Sequence, residues 1–102
     1  MSLEQLQSSA ALLERLRKVK PVVFSDFSVK EFELFGSFAR DSVTEESDID
    51  LLVTFGDDAT LFDLVRLKLF LEEYLDRAVD LVPKESLRVE LKESVLREAI
   101  VV

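Results

Sequence analysis

The chain has 102 residues, 13 Lys and Arg against 21 Asp and Glu, a formal net charge of −8, and neither cysteine nor histidine. Disulfides, thiolate metal sites, His-based triads and His–Zn centres are thereby excluded, so acid–base and metal chemistry must fall to carboxylates, Lys, Tyr or hydroxyls. So acidic a surface lacks the basic footprint of a DNA or RNA binder, yet a small anion can still be met locally by cations and backbone N–H groups, with a divalent metal as bridge.

Residues 3–18 read as a helix capped by Ser2, with Gln5 as capping-box partner and Leu3, Leu6, Leu13 and Leu16 on one apolar face. Pro21 is expected to end it, with Val22–Phe24 extended and Ser25–Val29 a connector. Glu31–Phe35 alternates polar and apolar, the period of a strand. Gly36-Ser37 interrupts the run, Phe38–Ser42 is expected to form one short helical turn, and Val43–Ser47 reads as a loop. Ile49–Phe55 is rich in β-formers and reads as a central strand, closed by the turn signal Gly56-Asp57-Asp58. Thr60 can cap a helix over 61–76 that is apolar around much of its circumference. Ala78–Val82 reads as a short buried strand closed by Pro83, and 85–99 as a last helix with Leu87, Leu91 and Val95 at four-residue steps.

No stretch reaches the roughly 18 apolar residues of a membrane span, and the N-terminus lacks a basic and apolar leader pattern. A single cytoplasmic domain over 1–102 is therefore expected. A domain this long buries roughly two-thirds of its unfolded surface, and 48% hydrophobic residues can supply its core.

The chemistry concentrates in Gly36-Ser37-Phe38-Ala39-Arg40, then seven residues, then Asp48-Ile49-Asp50. On a strand, Asp48 and Asp50 project to one side and Ile49, Leu51 and Val53 to the other. Two carboxylates about 7 Å apart along a strand repel unless something positive stands between them. Mg²⁺ suits that place, being hard, oxygen-seeking and content with one or two protein carboxylates plus substrate phosphates. A bare Asp-x-Asp is more often a solvated strand face. Here, though, a poor strand former is used twice at the head of an Ile, Leu, Leu, Val run. Gly36 allows a sharp turn and close backbone approach to a ligand. Ser37 is either a hydroxyl donor to phosphate or a plain helix cap. Arg40 is either a phosphate donor or a surface cation. Asp80 interrupts a buried run, where a lone acid is costly unless it is paired with a base such as Arg77 or ligates a cation. Asp63 and Asp76 read as solvated helix residues.

Gly-Ser, ten residues, then Asp-x-Asp, inside LFGSFARDSVTEESDIDLLVTF, resembles the signature of the minimal nucleotidyltransferases of the DNA polymerase β-like superfamily. The local match runs from about Glu33 to Phe55, and the element order and Asp80 extend it along most of the chain. The resemblance implies an α+β fold, a small mixed β-sheet flanked by helices, with a polymerase β palm-like core. It implies that Asp48, Asp50 and Asp80 hold Mg²⁺, with two ions about 4 Å apart activating the acceptor hydroxyl and stabilising pyrophosphate. Asp80 would also accept the acceptor's proton. Gly36 and Ser37 would hold the phosphates of ATP or another NTP, with Arg40 assisting. Small members of this kind are implied to pair with a HEPN-type helical protein in toxin–antitoxin systems, some moving AMP onto a tyrosine of that partner. One departure is Asp41, where the family usually has Gly; with Glu45 and Glu46 it adds negative charge near the phosphates. An idle antitoxin that acts by docking and an aminoglycoside-type small-molecule transferase are the competing readings, and self-association stays open.

Overall fold

A computed structural model describes residues 8–39 and 47–102. The chain runs through α1 Ser9–Asp26, β1 Val29–Phe35, β2 Ile49–Phe55, α2 Leu61–Leu75, β3 Val79–Pro83, a 3-10 turn Lys84–Ser86, α3 Val89–Glu98 and β4 Ile100–Val101. The strands form one mixed sheet in the order β3-β2-β1-β4. β1 is antiparallel to both β2 and β4, whereas β2 and β3 are parallel. A parallel neighbour demands a crossover, and α2 supplies it. This is the α+β class that the sequence predicts.

Period-two alternation divides the sheet into two unlike faces. Phe32 and Leu34 of β1, Ile49, Leu51 and Val53 of β2, and Val79 and Leu81 of β3 share one buried cluster with Leu12, Leu16 and Val23 of α1 and Leu67, Leu71 and Leu75 of α2. Each such side chain contributes about 1.5–3 kcal/mol. The register puts Glu31, Glu33 and Phe35 of β1 beside Thr54, Leu52 and Asp50 of β2, with Asp80 and Val82 of β3 next in line, on the other face. The molecule is only 19 Å across its shortest axis, the depth of a sheet with one main helical layer. No helix among the described residues is long and apolar enough to cross a membrane.

Several boundaries differ from the sequence reading. α1 starts at Ser9, capped by the Ser8 hydroxyl, which accepts from the Ala11 N–H at 3.1 Å; Ser2, Leu3, Gln5 and Leu6 lie outside the described residues. Pro21 does not end α1 but sits inside it. A proline in a helix interior costs about 3 kcal/mol. Beyond it, however, Val23 is fully buried and Phe27 is 6% exposed, and two such burials together contribute about 3–6 kcal/mol, enough to carry the helix through. Pro21 and Arg17 both face solvent, so the carbonyl that Pro21 leaves without a donor can be hydrated. Val22–Phe24 is therefore helical, not extended, and the connector shrinks to Phe27-Ser28, with Ser28 at φ 56°.

β1 begins two residues early, through a bulge between Val29 and Glu31. α2 is capped as expected: Asp63 accepts from the Thr60 N–H at 2.8 Å. It ends one residue sooner than predicted, at a left-handed Asp76 with φ 52°. The last helix is shorter than 85–99, because its first turn is the separate 3-10 turn and Ile100–Val101 adds a fourth strand beside Glu33-Leu34. Gly36–Ala39 is a turn; most of the predicted helical turn, Arg40–Ser42, lies outside the described residues.

Candidate active site

The Ile49 N–H donates to the Ala78 carbonyl at 3.0 Å, tying the start of β2 to the residue ahead of β3. Parallel pairing then sets Asp50 directly beside Asp80. Neighbouring strands lie about 4.8 Å apart and paired residues share a face, so the two acids rise from adjacent strands on the same side. Asp80 is exposed and Asp50 half-buried. Asp48 stands just ahead of β2, exposed, two residues before Asp50, the spacing that returns an extended chain to the same face.

Gly36 closes the other side. It has φ 75°, a conformation that side chains resist, and a Cβ there would run into the Asp50 carboxylate, with the Asp50 Cγ at 2.9 Å and Cβ at 3.0 Å. The glycine is thus required twice, by the backbone and by the acid packed against it. Two residues on, Phe38 is fully buried in the core and anchors the turn. Ser37 is half-buried between them. Arg40 and Asp41 lie outside the described residues.

Arg77 does something that the sequence did not suggest. Pairing with Asp80 was the alternative to metal ligation by that acid, but the Arg77 Nε donates to the Ser47 carbonyl at 2.8 Å and its guanidinium carbon stands 5.2 Å from the centre of the Phe38 ring. Asp63 is the capping-box partner of Thr60 at the start of α2, and Asp76 is its C-cap. Farther along the open face, the Lys84 ammonium bridges Glu31 at 3.1 Å and Glu33 at 3.2 Å. Hydrogen bonds to Glu31, then Glu33, raise its pKa above 10.5.

Among the described residues, no three Asp or Glu side chains form a ready-made metal cage. Bare carboxylates repel one another, and Mg²⁺ asks for only one or two, drawing the rest of its shell from phosphate and water. Asp50 and Asp80 in register, Asp48 one pleat away and a glycine turn against Asp50 make a donor set that suits such an ion together with a polyphosphate.

Comparison with known proteins gives this arrangement its family. The nucleotidyltransferase domain family matches residues 16–102. A Methanocaldococcus jannaschii protein, provisionally named a protein adenylyltransferase, is 45% identical over 82% of this chain and 89% of its own length. The protein adenylyltransferase MntA of Thermococcus cleftensis is 41% identical over 74% of this chain and 77% of its own. A solved structure provisionally described as a minimal nucleotidyltransferase superposes with a TM-score of 0.79 at 41% identity, covering 91% of this chain and 94% of that one. A complex of a tri-AMPylated Shewanella oneidensis HEPN toxin with its MNT antitoxin matches with a TM-score of 0.57 at 25% identity, covering 97% of this chain and 71% of that one. The chain belongs to the nucleotidyltransferase domain family, as one of its minimal members. It is a nucleotidyltransferase.

Proposed function

We propose that the chain is a Mg²⁺-dependent protein adenylyltransferase that moves AMP from ATP onto a tyrosine hydroxyl of a HEPN-type helical partner and so acts as an antitoxin. The observation that carries this reading is the in-register pairing of Asp50 with Asp80 beside Gly36. The acceptor oxygen forms a bond to the α-phosphorus, the bond from that phosphorus to the bridging oxygen breaks, and pyrophosphate leaves with the electron pair. Asp48, Asp50 and Asp80 would hold Mg²⁺, which when bound neutralises phosphate charge and lowers the pKa of the acceptor hydroxyl. Asp80, the most exposed side of the pair, takes the acceptor's proton. The backbone of Gly36 and the hydroxyl and N–H of Ser37 line the phosphates, and Arg40 follows closely enough in sequence to join them. In-line phosphoryl chemistry asks for positioning and charge neutralisation rather than a protein nucleophile, which agrees with a chain without His and Cys.

α2 supports the partner. Its inner side buries Leu67, Leu71 and Leu75, while Leu61 and Phe62 are each 80% exposed and Val65 and Leu69 more than half exposed. Residues 62, 65 and 69 recur at helical spacing, so they form one apolar stripe. The AMPylated HEPN toxin held by the MNT antitoxin of the Shewanella complex supports this reading of the partner's class and of the transferred group.

The test is transfer of label from α-³²P-ATP to a co-expressed HEPN partner with Mg²⁺, repeated with Asp48→Ala plus Asp50→Ala. Label on a partner tyrosine, lost in the double variant and in EDTA, is the expected result. Partner inhibition by the wild type without any label would overturn the reading in favour of docking alone.

A further inference from the structure

We propose that Arg77 is a positioning residue for nucleotidyl transfer: one guanidinium holds the glycine turn, the start of β2 and the start of β3 at a fixed spacing. The inference rests on the proposed transfer reaction and adds to it a residue that touches neither nucleotide nor metal.

Three segments bring the site together, and Arg77 meets each. It belongs to the link between α2 and β3, three residues ahead of Asp80. Its Nε bond ends on Ser47, the residue immediately before Asp48. Its guanidinium lies over Phe38, two residues after Gly36. The link itself is held from two sides. The Val79 N–H donates to a Glu72 carboxylate oxygen at 3.0 Å, and the Ala78 carbonyl accepts from Ile49. The arginine therefore projects from a fixed base.

The chemistry favours arginine over lysine. A guanidinium is planar, so it can lie on an aromatic ring while an in-plane N–H reaches a carbonyl. An ammonium is a compact, strongly hydrated point charge with no flat face to stack on the ring, so it does not reproduce this two-way contact. Phe38 is fully buried, so the ring is itself a fixed platform. Neither β1–β2 nor β2–β3 pairing reaches the Gly36–Ala39 turn or Ser47, and the Arg77 contacts tie these two places to each other. Since misplacement by about 1 Å can cost about 10²-fold in rate, a tie at this point acts on turnover.

The experiment compares Arg77→Met, which keeps the apolar stem, with Arg77→Lys, which keeps the charge. Transfer kinetics are read with varied ATP and Mg²⁺, and hydrogen exchange is read on the same full-length proteins. Both variants are expected to lose about 10²-fold in kcat, with KM for ATP changed less than about threefold. Amide exchange should quicken at 36–38 and 47–49 together, while β1 and β4 keep wild-type protection. Recovery by Arg77→Lys would overturn the proposal, since charge alone would then suffice. Wild-type exchange at both segments in Arg77→Met would overturn it as well. Exchange that quickens uniformly along the chain would also count against it, because the arginine would then only be a stability residue. If the wild type itself transfers no label, the transfer reading fails, but the exchange coupling still stands or falls alone.

Discussion

The open face of the sheet has two acidic ends that handle charge in opposite ways. At one end Glu31 and Glu33 are neutralised by the chain's own Lys84. At the other, about 7 Å from Glu33 and about 13 Å from Glu31 along the strands, Asp50 and Asp80 stand in register with Asp48 nearby, and among the described residues no salt bridge engages Asp48 or Asp80. The same pleated surface thus carries carboxylates with a built-in cation and carboxylates placed to take an external one. Burial separates the extremes: Glu33 retains 11% of its side-chain exposure while Asp48 and Asp80 face solvent, with Glu31 exposed and Asp50 half-buried between them. A permanent counter-ion allows an acid to be covered, and an exchangeable one requires access.

The sharpest break in this contrast comes from removing the exchangeable end. Asp50→Asn with Asp80→Asn forfeits several kcal/mol of transition-state charge stabilisation, so label transfer should fall by at least about 10³-fold, while the thermal midpoint holds or rises as like charges vanish. Gly36→Ala comes next. It adds about 1–2 kcal/mol of left-handed strain and presses a methyl into the Asp50 carboxylate, so transfer should drop about 10²-fold, with a loss of stability readable by denaturant titration.

Lys84→Met attacks the other end. It leaves the buried Glu33 without its cation and should cost about 1–3 kcal/mol in denaturant unfolding, with label transfer at saturating ATP unchanged. The smallest effect is in pH. Because the folded pKa of Lys84 lies above 10.5, its contribution is complete below that value and fades as pH rises through the folded pKa. From neutral pH to pH 10.5 the stability gap between wild type and Lys84→Met should hold steady and above that it should narrow, as followed by urea midpoints. A gap that widens with rising pH would contradict the bridge.

How much of this could be read from residues alone depends on range. β2 was legible because Ile49–Phe55 is rich in β-formers, and α2 because a capping residue and its apolar positions agree. The fold class followed from the resemblance around Gly36 and Asp48. What escaped was set by distant partners. Pro21 is a stop signal locally, and only the burial of Val23 and Phe27 overrides it. β4 is two residues long, too short for any period, and exists because β1 offers a free edge. The full burial of Phe38 beneath the Gly36–Ala39 turn also escaped, because the core it joins is assembled from residues far away in sequence. Arg77 was weighed only against Asp80, its neighbour in sequence, whereas its carbonyl and ring partners are 30 and 39 positions away.

The link from α2 to β3 spans only Asp76, Arg77 and Ala78. Strand alternation makes its length a matter of phase. One residue added there and absorbed into β3 would rotate Asp80 toward Leu71 and Leu75 and push Leu81 into water, exchanging a functional surface for a spoiled interior. Arg77 constrains the composition of that link and strand phase constrains its count, so an insertion after Leu75 should be tolerated far less than one in the Gly56–Ala59 turn, where the ladder has already ended.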